Sequence, residues 1–200
     1  MKMVVPTFGS LVSICTRRSG VVGNPSLRAA RGRLPSTRCR PQTARRMPLQ
    51  LLDAEALASA YRAARYVAAT PAGALAVAVG APVPALEAAI EADSFAFITA
   101  WNPASRPRDE DANRNADLAL VAQLGMLESR RWPMRASAPD GDWGEPGWLL
   151  AGIDPESLDR LARAFGQAGT LFWRRGEPVR LRMVLPKPPG SRCDATDWLE

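Results

Sequence analysis

The sequence predicts an α/β fold, a single domain with a mixed β-sheet flanked by helices in the order (α)ββαβαββαββ, after a disordered N-terminal extension. Three observations carry that prediction. Apolar runs of strand length alternate with segments of helical period. Gly, Pro and capping residues stand at the joins between them. A content of 46% hydrophobic and 23% charged residues over 200 positions suits one packed core rather than a disordered or fibrous chain.

Taken in order, residues 1–46 are rich in Arg, Ser, Thr, Pro and Gly, contain no acid and follow no apolar period, so they are expected to stay outside the core. The domain proper is expected over 47–185. Leu51 to Ala60 reads as a helix with Asp53 and Glu55 in its first turn. Tyr61 to Ala69 is ambiguous between helix and strand by period, whereas Leu75, Val77 and Val79 alternate as in a strand, with Pro71 to Gly73 as the hairpin turn. Pro84 opens a short helix that ends near Asp93. Phe95 to Trp101 is almost continuously apolar, as a central strand covered on both faces would be. Asn102 to Pro107 is a loop, Asp109 to Leu124 a helix stopped by Gly125, and Leu127 to Met134 a strand before a polar loop from Ala136 to Glu145. Trp148 to Ile153 is a second apolar strand. Asp154 and Pro155 then cap and open a helix that buries Leu158, Leu161, Ala162 and Phe165 and stops at Gly166. Thr170 to Trp173 and Val179 to Leu185 form a closing hairpin, the last strand alternating with Arg180 and Arg182 like an edge. Residues 186–200 read as a flexible tail.

Composition excludes several chemistries. There is no histidine, the residue most used for acid-base work near neutral pH, for activating Ser or Cys nucleophiles and for binding zinc. The net charge of +6 suggests a nucleic-acid binder until its distribution is considered. Residues 1–46 hold ten basic residues and no acid, which leaves 16 basic against 20 acidic residues in the remainder. A net-acidic body offers no general attraction to phosphate, so nucleic-acid binding, through the leader, is a minor expectation. The leader itself reads as an organelle transit peptide or as residues upstream of a true start at Met47; the 24 Arg against 2 Lys, typical of GC-rich bacterial coding, favour the second. Cys15, Cys39 and Cys193 have no ligand or disulfide spacing and are expected to be free thiols in a cytoplasmic protein. The uncharged run from Tyr66 to Leu86 is long enough to span a membrane, but Pro71, Gly73, Gly80, Pro82 and Pro84 break it, so no membrane partner is expected.

Several short motifs stand in sequence. Phe97-Ile98-Thr99-Ala100-Trp101-Asn102-Pro103 is followed by Ser105, then Gly141-Asp142-Trp143 with Glu145-Pro146, Leu150-Ala151-Gly152-Ile153 and Phe165-Gly166-Gln167. In that order they resemble the bacterial family of domain of unknown function 3293, over roughly residues 57 to 184. The resemblance implies no activity, cofactor or catalytic residue. Gly147 stands where the likeness leads one to expect Ser after the Glu-Pro pair, which puts a hydroxyl role there in doubt.

Ligands in open α/β sheets gather at the carboxyl ends of strands. Trp101, Asn102, Ser105 and Arg106 follow the central strand, Gln167 precedes the next one, and Trp143 and Glu145 lie near the loop between two others, so these residues are the candidate lining of one polar crevice. The plainer alternatives are that Asn102-Pro103 turns the chain, Ser105 caps a turn and Gln167 satisfies a helix-end carbonyl. Arg106 and Arg108 before a helix suggest anion capture, but Asp109, Glu110 and Asp111 already complement that helix end. Asp140, Asp142 and Glu145 lack the ligand number and spacing of a cation loop, so neither a metal nor a cofactor is expected. Trp148 and Trp173 lie in strand patterns and are expected in the core or on a sheet face. Two functions follow as expectations: a domain that binds a small molecule or a protein without catalysis, or a carboxylate-dependent hydrolase or transferase in which Glu145 is the acid or base and Asn102 and Gln167 orient substrate.

Overall fold

In the computed structural model, residues 53–141, 143–191 and 194–200 are described. The expectations for the N-terminal extension, for Leu51, for Asp142 and for all three cysteines lie outside those residues. The elements are α1 (Ala54–Ala63), β1 (Arg65–Thr70), β2 (Gly73–Val77), α2 (Pro84–Ala89), β3 (Ser94–Ile98), a 3-10 turn (Pro103–Ser105), α3 (Glu110–Leu124), β4 (Arg130–Ser137), β5 (Gly144–Ala151), α4 (Pro155–Ala164), β6 (Gly169–Arg174), β7 (Arg180–Met183) and β8 (Thr196–Trp198). Among the described residues no helix is long and apolar enough to cross a membrane.

The strands form one sheet in the order β2-β1-β4-β5-β3-β6-β7-β8. Every neighbouring pair is antiparallel except β7 and β8, which makes the sheet mixed by one pairing. β3 lies inside it, paired with β5 through Phe97 opposite Leu149 and with β6 through Phe97 opposite Leu171. Its continuous apolar run has a direct cause. Phe95 and Phe97 join the core on one face with α1 and α2, and Ala96 and Ile98 join the core on the other with α3 and α4. Fully burying each such side chain contributes about 1.5–3 kcal/mol, so this strand anchors both layers.

Local chemistry sets the ends of the elements. Asp53 accepts from the Ala56 N–H at 2.7 Å and is the cap of α1 rather than a first-turn residue. Asp154 caps α4 through the Ser157 N–H, with Pro155 at the first helical position. α4 stops as a Schellman motif: Gly166 takes φ +65°, its N–H reaches Arg163 O, and the Gln167 N–H reaches Ala162 O at 2.8 Å. Gly125 ends α3 differently, with φ −66°, so its freedom to adopt left-handed backbone is not used.

Three expectations are corrected. The strand expected at 127–134 runs over 130–137, and the polar loop shrinks accordingly. Pro133 is tolerated because β1 pairs with β4 only from Met134 onward. Residues 186–200, expected as a flexible tail, supply β8. β7 is therefore covered rather than an edge, and its arginines are held by carboxylates: Arg180 by Asp197, Arg182 by Asp159.

Candidate functional site

The loop after β3 carries an unusual backbone. Asn102, Ala104 and Ser105 all adopt left-handed φ, at 44°, 51° and 54°, although none is glycine. Such residues cost on the order of 1–3 kcal/mol each and persist only where their surroundings hold them. Here the Asn102 N–H donates to Asn113 Oδ1 at 2.9 Å, and Asn102 Oδ1 accepts from Asn113 Nδ2 at 2.9 Å and from the Arg108 N–H at 3.0 Å. The Arg108 N–H requires an oxygen there, which orients the amide and sends Nδ2 toward Glu145 Oε1, 2.8 Å away. The Ala104 N–H donates to Gly166 O at 2.9 Å, tying the loop to the end of α4.

Glu145 stands near the start of β5, opposite Ala136 of β4. Its carboxyl accepts from the side chains of Asn102 and Trp143, yet burial dominates and raises its pKa above the ordinary 4.5. From the end of α1, the Tyr61 hydroxyl lies 2.6 Å from Ser105 Oγ. Burial, with the Glu145 charge adding to it, pushes the Tyr61 phenol up to about 12. Tyr66 on β1 donates to Tyr61 O at 2.9 Å, and its phenol is raised as well, again by burial. Gln167, 5% exposed, follows the Schellman turn and donates from Nε2 to Trp101 O at 3.1 Å. Its backbone satisfies the helix-end carbonyl while its side chain faces the loop. Thr99 Oγ1 donates to Pro146 O at 2.7 Å and accepts the Trp101 N–H at 3.0 Å, which closes β3 against β5.

These groups border a cavity of about 240 Å³ at the end of the sheet where β3 and β4 finish and β1, β5 and β6 begin. Leu57, Phe97, Leu171 and Leu181 form its apolar part; Tyr61, Ser105, Glu145 and Gln167 bring polar atoms; Trp143 is 38% exposed at its border. The cavity lies beside the carboxyl ends of β3, β4 and β7 and equally beside the amino ends of β1, β5 and β6. In an antiparallel sheet each end mixes the carboxyl end of one strand with the amino end of its neighbour.

The candidates divide. Ser105, Trp143, Glu145 and Gln167 line the cavity. Asn102 stands behind Glu145 and positions it. Trp101 contributes a carbonyl to Gln167, but its ring is not part of the lining. Arg106 is exposed and outside the lining, because the left-handed turn before it carries the chain away, and Asp109 caps α3 by accepting from the Asp111 and Ala112 N–H groups. Among the described residues, no three His, Cys, Asp or Glu side chains gather where they could hold a metal ion. Tyr61 and Tyr66 escaped the sequence reading. They fall where the period was ambiguous, at the junction of α1 and β1, although two tyrosines in so short a stretch of a chain with no others were a signal.

No curated protein matches the chain, and no solved structure does. Residues 98–169, which carry all seven candidates read from the sequence, match the model of the family described as Protein of unknown function (DUF3293).

Proposed function

We propose that this domain binds one compact, largely apolar small molecule in the cavity beside β3, without chemistry. The observation that carries the reading is the cavity's make-up, an apolar interior with a few polar groups already oriented by one another. That is the usual plan of a small-molecule site. Its volume of about 240 Å³ exceeds the roughly 150 Å³ that holds benzene and falls short of the roughly 300–1,000 Å³ of drug-sized sites, which suits a single ring with a short substituent.

The hydroxyl pair argues against nucleophilic catalysis. Ser105 needs a base to attack, and a Tyr61 phenol with a pKa of about 12 keeps its proton at neutral pH. One observation favours a second reading, that of an enzyme using a carboxyl. Glu145 is a half-buried acid with a raised pKa at the edge of a cavity, the profile of a general acid. Under either reading the work is done in the cytoplasm, an assignment supported by the absence of disulfide spacing among the three cysteines.

The test is thermal unfolding and calorimetry of the full chain with indole and benzyl alcohol, beside the cavity-filling variant Ala136→Leu. A ligand at a hundred times its Kd raises stability by about 2.7 kcal/mol. The reading expects such a rise in the wild type and its loss in the variant. No rise with either probe, or equal rises in both proteins, overturns it.

A further inference from the structure

We propose, building on the cavity reading above, that the occupant is an organic cation, a ring-bearing amine whose ammonium group sits against Glu145. Three observations converge on that class. First, Glu145 is the only acidic or basic side chain, tyrosine hydroxyls aside, among the described residues of the lining. The chain holds 24 arginines, yet none of those described borders the cavity. Arg180 and Arg182 are engaged with Asp197 and Asp159, and Arg106 and Arg135 are exposed. An anionic ligand would enter beside a carboxylate with no cation to offset it, so the site selects against negative charge.

Second, four aromatic side chains border the same space: Tyr61, Tyr66, Phe97 and Trp143. Tyr66 and Phe97 meet edge to face with centroids 5.4 Å apart, so their relative orientation is fixed by packing. Aromatic faces attract ammonium groups, and the attraction grows when water is excluded. Third, the carboxylate has acceptor capacity to spare. An ionised carboxylate offers about four lone-pair sites, and among the described residues the side chains given as hydrogen-bonding to it are those of Asn102 and Trp143. An ammonium brings up to three donors and the compensating charge that this half-buried carboxyl lacks. The groups facing Glu145 from the other elements are Tyr61 of α1, Tyr66 of β1, Asn102 of the loop and Trp143. None of them supplies a positive charge.

The experiment compares three probes of one shape by calorimetry on the full chain at pH 7.5: benzylamine, benzyl alcohol and benzoate. Benzylamine is expected to bind at least about tenfold more tightly than benzyl alcohol, and benzoate not measurably. Glu145→Gln should bring the affinity for benzylamine down to that for benzyl alcohol. A second measurement needs no variant. Lowering the pH protonates Glu145 while benzylamine stays charged, so benzylamine binding should weaken with acidification and benzyl alcohol binding should not. Equal affinities for the amine and the alcohol, or tighter binding of benzoate, overturn the cation and leave the cavity reading standing. Failure of all three probes together with indole overturns both.

Discussion

Gly147 offers the sharpest test of how β5 is seated against the central strand. It is buried in β5 opposite Met134 of β4. A Cβ added there would lie 2.6 Å from Ile98 O and 2.7 Å from a Phe97 ring carbon. Ordinary carbon contacts begin near 3.5 Å, so the overlap approaches 1 Å. One clashing atom is a backbone carbonyl of β3, which cannot rotate away without disturbing the pairing of β3 with β5. Overpacking costs about 1–3 kcal/mol, and relief of glycine's entropy in a strand returns about 0.5–1 kcal/mol. Gly147→Ala is therefore expected to lose about 1 kcal/mol net, or about 2–4 °C in Tm for a domain of this size. The control lies in the same strand. At Gly144 the three atoms nearest an added Cβ all belong to the guanidinium end of Arg135, and that flexible side chain can swing aside. Gly144→Ala should stay within about 0.5 kcal/mol of wild type. Urea unfolding of both variants measures the difference. If Gly147→Ala proves as stable as Gly144→Ala, the close approach of β5 to β3 is wrong.

Three further outcomes are expected. Because burial raises the Glu145 pKa above 4.5, the folded state holds this proton more tightly than the unfolded chain; the resulting stability is full below pH 4.5 and is lost as pH rises through the raised value. The stability of wild type relative to Glu145→Gln should therefore fall from pH 4 to pH 8 in urea titrations, and a constant difference would contradict the half-buried, charge-averse carboxyl. Asp159 grips Arg182 with two hydrogen bonds, of 3.0 Å and 2.6 Å, both side chains being 15% exposed. Asp159→Ala strands a largely buried guanidinium and should cost about 2 kcal/mol by chemical unfolding, whereas a loss below about 0.5 kcal/mol would mean that Asp197, 3.8 Å away, suffices alone. Truncation after Lys187 removes β8 and exposes β7 as an edge; size-exclusion chromatography should then reveal association and calorimetry a lower Tm, and an unaltered monodisperse profile would show that β8 contributes nothing.

Elements whose signals are local were legible. α4 carries its cap, its first-position proline and its stop glycine within a short stretch of chain, each acting through bonds between near neighbours. β3 was legible for the opposite reason: a strand covered on both faces has no polar positions to disguise it. β4 was misplaced because a strand containing Pro133 and three arginines resembles a loop until its pairing partners are known. Of the site, Glu145, Ser105, Trp143 and Gln167 were found through their place beside strand ends. Tyr61 and Tyr66 were missed because Tyr61 meets Ser105 across 44 residues of sequence and both face Glu145 across more, and no periodicity encodes a contact of that length.

The amino-acid order by itself determined the succession of elements from α1 to β7, the two-sided burial of β3 and the exclusion of histidine chemistry, since these depend on residue type and on spacing within one element. Only the tertiary structure decided that β8 covers β7, that the strands are almost all antiparallel, and that a carboxyl, two phenols and an amide border one apolar cavity. Strand order and side-chain convergence follow from packing between segments far apart in the chain, where many arrangements satisfy the same local pattern and the closing of the core selects among them.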